Sequence, residues 1–167
     1  MPLQGKVALV TGGSRGIGRA ICLGLAAQGV RVVVASRTEV ETTAAPECAR
    51  DAAGTIHDTA QRIQAAGGTA VGITCDVTQE EEIRHLVAAA LEHCGRLDIL
   101  VSNAGMDCAS PVVALDIDLL DRGVAVHGRA PLLLCKCALP RMRAQGSGAI
   151  VCRTSGAARG YRPGRGG

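Results

Sequence analysis

Phenylalanine and tryptophan are absent from this 167-residue chain, and tyrosine occurs once, at Tyr161. A core without aromatic rings must be built from Val, Leu, Ile and Ala, and 47% of the residues are hydrophobic. Continuous aliphatic runs suit a parallel sheet covered on both faces by helices. No C-x-x-C pair occurs. The eight cysteines stand at 22, 48, 75, 94, 108, 135, 137 and 152. Cys135-x-Cys137 has no matching second pair, so no metal site is expected. No apolar stretch is long enough to span a bilayer, and the chain runs straight into Lys6-Val7-Ala8 without a signal-peptide pattern. The expected setting is cytoplasmic, with free thiols mostly buried as small hydrophobes. A dominant charge is also missing: the net charge is +3, and most basic residues are dispersed among acidic ones. Outside the Gly/Arg-rich tail they are not a nucleic-acid footprint, and no nucleic-acid partner is expected; a short RGG-like RNA-binding arm is the alternative reading of the tail. The length is that of one domain.

What is present begins with a glycine-rich turn. Lys6-Val7-Ala8-Leu9-Val10 is a short apolar, β-prone run. It breaks into Thr11-Gly12-Gly13-Ser14-Arg15-Gly16-Ile17-Gly18, and helical spacing follows at Ile17, Ile21 and Leu25. A strand, a glycine turn and a helix in that order form a phosphate-binding device. The helix N-terminus leaves N–H groups unpaired and carries partial positive charge, and glycines let a pyrophosphate come close. Gly13 to Gly18 has the glycine spacing of a P-loop, but Arg19-Ala20 replace its Lys and hydroxyl residue. The dinucleotide-binding reading survives, beside that of an ordinary strand-to-helix turn.

Further along, Arg31 to Ala35 is a second strand, ending at Ser36-Arg37. Thr38 to Gly54 reads as a surface insertion, and Thr55 to Ala66 as a helix. Ala70 to Cys75 is a third strand, leading into Asp76-Val77. Thr78-Gln79-Glu80-Glu81 reads as a capping box, opening a helix that Gly95 ends. Asp98 to Val101 is a fourth strand, breaking at Ser102-Asn103-Ala104-Gly105. A long helical region from about Asp118 to Arg143 precedes a fifth strand, Ala149 to Cys152. The alternation predicts a Rossmann-like, doubly wound three-layer αβα fold with strand order 3-2-1-4-5. Residues 1–155 form this domain, and the Gly/Arg-rich stretch 156–167 reads as a disordered tail.

Each candidate contact stands at the C-terminal end of a strand, where ligands of open α/β sheets bind. An acidic residue ending the second strand would accept from a ribose 2′-OH and favour NAD. Ser36-Arg37 stand there instead, with Arg15 in the glycine turn. Two guanidinium groups favour a 2′-phosphate, hence NADP over NAD. Asp76 reads as an adenine-side contact or as a turn residue. Asn103 reads as a bond across to neighbouring backbone or as an Asx-type turn.

Taken together, these residues resemble the short-chain dehydrogenase/reductase family. The matching pieces are Thr11-Gly12-x-x-x-Gly16-Ile17-Gly18, Asp76-Val77, Asn103-Ala104-Gly105, Leu139-Pro140-Arg141-Met142, and Gly148-Ala149-Ile150-Val151 leading to Thr154-Ser155. The resemblance covers Lys6 to Ser155. The stretch Gly54-Thr55-Ile56 also resembles a hydroxysteroid-dehydrogenase-like or terpene-alcohol subgroup. The family implies NAD(P)-dependent alcohol oxidation or carbonyl reduction on a small-molecule substrate. The matching pieces, joined with Ser14, Arg15, Ser36 and Arg37 from the turn and the end of the second strand, give Gly12, Ser14, Arg15, Gly16, Ile17, Gly18, Ser36, Arg37, Asp76, Val77, Asn103, Ala104 and Gly105 as the expected cofactor set.

By the same resemblance Ser155 matches the substrate-holding Ser. His127 falls on the position of an Asn that anchors a proton-relay water; it either keeps part of that role or marks a drifted position. The family's Tyr-x-x-x-Lys pair has no match. Tyr161 is followed by Pro163, Gly164 and Arg165, too near Ser155 and unsuited to a helix. The expectation is a truncated, spliced or frameshifted family member with impaired chemistry, or an inactive NADP-binding form. It would lack the family's last strands and leave the fifth as an exposed edge. Self-association, or pairing with a full-length relative, is the expected partnership.

Overall fold

The computed structural model describes residues 3–37, 54–106 and 110–154. Five parallel strands are ordered β3-β2-β1-β4-β5. They are β1 (Val7–Thr11), β2 (Arg31–Ser36), β3 (Ala70–Thr74), β4 (Ile99–Ser102) and β5 (Ala149–Cys152). The helices between them are α1 (Gly16–Ala27), α2 (Ile56–Ala65), α3 (Glu80–Cys94), α4 (Ile117–Val124) and α5 (Ala130–Ala144). The expected doubly wound sheet and strand order are thus found. Residues 38–53 of the expected insertion, Ser155 and the tail with Tyr161 lie outside the described residues.

Strand side chains alternate between two cores, as the pleat requires. Leu9, Val33, Ala35 and Leu100 point to the α3–α5 side, where they meet Ile83, Leu86, Leu134 and Ala138. Ala8, Val10, Val32 and Val34 point to the α1–α2 side and meet Cys22, Ile56 and Ile63. Every residue of β1 is buried, because both faces of this central strand are covered. With no aromatic ring in either layer, close packing relies on small residues. Cys22, Ala60 and Ala138 fill places where a larger side chain would hold helix and sheet apart.

The helix ends follow local chemistry. Thr55 caps α2 by accepting from the Asp58 N–H at 3.0 Å. Three glutamates in the first turn of α3 complement its dipole, and Gly95, at φ 73°, takes the left-handed turn that ends it. The predicted capping box is corrected. Gln79 is the N-cap of α3 and no side chain caps it. Thr78 instead donates from its N–H and Oγ1 to the Asp76 carboxylate, at 2.9 and 2.8 Å. Asp76 competes successfully because it lies two residues back, in Asx-turn position.

The predicted long helix is interrupted. A π-type turn over Ala125–Arg129 joins α4 to α5, so one extra residue is inserted beside the mouth of the sheet. Along α5, Ala130, Leu134, Ala138 and Met142 are buried at four-residue spacing. Among the described residues β5 pairs with β4 alone, and its Ala149, Val151 and Cys152 are exposed.

Candidate cofactor site

The glycine turn is held from both sides. Gly13 N–H donates to Ala35 O at 3.1 Å, tying the turn to β2. Gly12 and Gly16 have φ of 68° and 53°, a region only glycine enters without strain. Gly18 has a different reason to be glycine: a Cβ there would overlap Gly12 O and come within 2.6 Å of Asn103 Nδ2. Arg19 holds the outside of the turn. Its guanidinium donates to Ser14 O at 2.5 Å and pairs with Asp58 at 2.8 Å. Thr59 Oγ1 donates to Gly13 O at 3.1 Å. These supports from α2 have no local sequence signature.

Helix α1 opens toward the C-terminal edge of the sheet. Arg15 is its N-cap but makes no side-chain cap, and no acidic residue lies in the first turn. Its leading N–H groups and positive dipole end are therefore available to an anion.

Asn103 closes the crossing between β1 and β4. Its Nδ2 donates to Thr11 O at 2.9 Å and approaches Gly12 O at 3.3 Å. Thr11 Oγ1 accepts from Asn103 N and Ala104 N, both at 3.1 Å. Of the two readings of Asn103, the bond across to neighbouring backbone is the one found. Asp76 serves as a turn residue, and its Oδ2 also lies 3.9 Å from Arg37 Nη1. Ser14 and Ser36 face each other, Oγ to Oγ, at 3.1 Å.

These elements enclose a cleft of about 510 Å³, within the range of small-molecule sites. All thirteen residues of the expected cofactor set line it, from Gly12 to Gly105. His127 lies just beyond, in the π-type turn. Its Nε2 is 2.9 Å from Met106 O and 3.3 Å from Met106 N. Met106, Cys75, Thr78, Val126, Arg122 and Arg153 also line the cleft, unforeseen from sequence. Burial, aided by the charges of Glu82 and Asp76, pushes the Cys75 thiol up to about 12, which disfavours its thiolate. Ser155 cannot be set beside His127, since it lies outside the described residues. No group of three His, Cys, Asp or Glu that could hold a metal occurs among the described residues.

The family model for short chain dehydrogenases matches residues 6–166. The chain belongs to the short-chain dehydrogenase/reductase family. It is 38% identical over 158 residues to the short-chain reductase protein NovJ of Streptomyces niveus, covering 94% of this chain and 55% of that protein. It is 34% identical over 155 residues to a short chain dehydrogenase of Pseudocercospora fijiensis, covering 92% and 46% of the two chains. A metagenomic short-chain oxidoreductase solved in complex with NADP superposes with a TM-score of 0.82 at 32% identity, covering 97% of this chain and 67% of that one. The chain thus spans about half the length of these two curated relatives. Among the described residues no helix is long and apolar enough to cross a membrane.

Proposed function

We propose that this chain holds NADP(H) across the cleft and serves alcohol oxidation or carbonyl reduction on a small molecule, with impaired turnover. One observation carries the cofactor choice. At the end of β2, where a carboxylate would accept from a ribose 2′-OH, Ser36 and Arg37 face the cleft together with Arg15. The glycine turn and the uncapped start of α1 fit a pyrophosphate. The Arg37–Asp76 pair is solvent-exposed and long, so a phosphate can compete for that guanidinium. NAD is the less favoured cofactor.

When bound, the nicotinamide supplies or accepts the hydride. The chain's own residues position it: Asn103 fixes the floor of the cleft, and Ser155 holds the substrate oxygen in the family pattern. His127, anchored on Met106, keeps part of the relay-water role of the family Asn in this reading, or marks a drifted position. In this reading the family's Tyr-x-x-x-Lys pair is not matched at Tyr161, which is followed at the fourth position by Arg165 rather than Lys. General acid–base catalysis is worth ~10²–10⁴ in rate. The same observation favours a second reading, an NADP-binding form without turnover.

Self-association is part of the proposal. Ile117, Leu120, Val124, Leu132 and Leu139 leave an apolar stripe exposed along α4 and α5, and a second copy or a longer relative would cover it. A reducing, cytoplasmic setting is supported by the six unpaired cysteines among the described residues.

The test is titration with NADPH and NADH, followed by nucleotide fluorescence, in the native chain and in Arg37→Ala. NADPH should bind more tightly, and the variant should lose about tenfold or more of that preference, the worth of a charge-assisted hydrogen bond. An unchanged preference would remove Arg37 from the site. NADPH consumption with a panel of aldehydes and ketones then separates weak turnover from none.

A further inference from the structure

Arg15 and Arg37 account for the adenosine end of the cleft. Two more guanidinium groups line it and have no part in that reading: Arg122 from α4 and Arg153 from just beyond β5. Arg153 continues the sheet ladder by one residue, its N–H donating to Ser102 O at 3.0 Å. The register of β4 and β5 sets it beside Asn103, and its Nη1 lies 3.5 Å from Asn103 Oδ1. Its charge is therefore turned toward the crossing of β1 and β4. Arg122 lies one helical turn before Val126, which lines the same cleft. Asp76 is the sole acidic residue lining the cleft among the described residues, and it sits against Arg37. Neither Arg122 nor Arg153 has a carboxylate partner among the described residues.

A dinucleotide in a doubly wound sheet spans the switch point. With the 2′-phosphate at the end of β2 and the pyrophosphate at α1, its other half falls on the β4–β5 side. The oxidised nicotinamide ring carries one positive charge and the reduced ring none. Apart from that charge the two forms differ only at the ring, by the hydrogen added at C4 and the lost aromaticity, so the long-range part of the difference in their binding is the energy of that charge in the field of the cleft.

We propose that Arg122 and Arg153 make the cleft discriminate by oxidation state, holding NADPH in preference to NADP⁺. The inference rests on the NADP(H) reading above and deepens it. Two uncompensated guanidinium groups repel the charged ring, and repulsion across a partly solvated cleft gives a preference of about tenfold. By linkage the bound couple is easier to reduce than the free one, by about 30 mV for a tenfold ratio in a two-electron couple. The site then favours a ligand already carrying its hydride, as a carbonyl reductase or a sensor of reduced cofactor requires.

The test is calorimetric titration of NADPH, NADP⁺ and adenosine 2′,5′-bisphosphate, which lacks the ring. The native chain and the Arg122→Gln/Arg153→Gln double variant are compared at low and high KCl. The native chain should favour NADPH about tenfold, and the ratio should fall toward unity in the double variant. Adenosine 2′,5′-bisphosphate should bind both alike, which also reports that the variant is folded. If the variant does not fold, the native chain alone decides, because its ratio must shrink as salt screens the guanidinium charges. Equal affinities in the native chain, or a ratio that neither the variant nor salt changes, overturn the inference and leave NADP(H) binding intact. A folded native chain that binds none of the three ligands overturns the cofactor reading itself.

Discussion

Thr11 and Asn103 bond each other twice: Asn103 Nδ2 donates to Thr11 O at 2.9 Å, and Thr11 Oγ1 accepts from Asn103 N at 3.1 Å. Both residues are buried, and the pair locks the ends of β1 and β4 where the cleft opens. Thr11→Val keeps the shape and removes the acceptor, leaving the N–H groups of Asn103 and Ala104 without a partner. The expected loss is about 1–3 kcal/mol of unfolding free energy. It would appear as a lower urea midpoint with an unchanged slope. A midpoint equal to that of the native chain would show that the pair does not bear on the fold.

Gly18 is the tightest point of the glycine turn. Gly18→Ala drives a methyl group into Gly12 O and Asn103 Nδ2, so either the turn or the Asn103 clasp must move. Overpacking of this kind costs about 1–3 kcal/mol. The variant should also lose NADPH binding well beyond what its stability loss explains. Gly24→Ala is the control, since nothing lies within 4 Å of a Cβ there. If both variants bind like the native chain, the turn is not the phosphate cradle.

Asp98 closes the opposite end of the sheet. It accepts from Val7 N at 3.0 Å, Lys6 Nζ at 3.2 Å and Arg96 Nε at 2.7 Å. Burial alone would raise its carboxyl, but the bonds from Arg96, Val7 and Lys6 outweigh burial and hold it at about 2. A depressed carboxyl stabilises the fold above its unfolded value, near 4, and that contribution fades as pH falls toward 2. Asp98→Asn should therefore be about 1–2 kcal/mol less stable at pH 7, discounted for the half-exposed arginine. Urea midpoints of the two proteins should converge between about pH 4 and pH 2. A gap that stays constant over that interval would show that charge is not what Asp98 contributes.

The stripe along α4 and α5 makes a prediction about assembly. Leu132 is 73% exposed, on the face opposite the buried Leu134 and Ala138. Leu132→Glu leaves the core untouched and should shift the chain toward monomer in sedimentation equilibrium, with little change in urea midpoint at low concentration. A native chain that is monomeric at high concentration would show that a second copy does not cover this face.

Much of this was legible in the chain, for a physical reason. A strand buried on both faces must be a continuous aliphatic run, so β1 and β2 announce themselves. A helix that starts against a phosphate must be led by small residues, so Gly12, Gly16 and Gly18 stand out together. The ends of those runs then point to Ser36, Asp76 and Asn103. The cap of α3 is not legible locally: Thr78 satisfies the capping-box pattern, while the Asp76 carboxylate two residues back outcompetes the helix for it. The break between α4 and α5 has no such pattern, because a π-type turn inserts one residue without any proline or glycine rule.

Sequence by itself determined the strands, the alternation that winds them, and the small residues that leave room for a dinucleotide. These are properties of neighbours along the chain, set by side-chain volume and backbone freedom. Tertiary structure alone decided which distant groups meet. Thr11 reaches Asn103 across 92 residues, and Lys6 reaches Asp98 across the same separation. Arg153 meets Asn103 across 50. No local spacing encodes those distances. They follow from the parallel crossovers that carry β4 back beside β1 and β5 beside β4, bringing four guanidinium groups to one cleft.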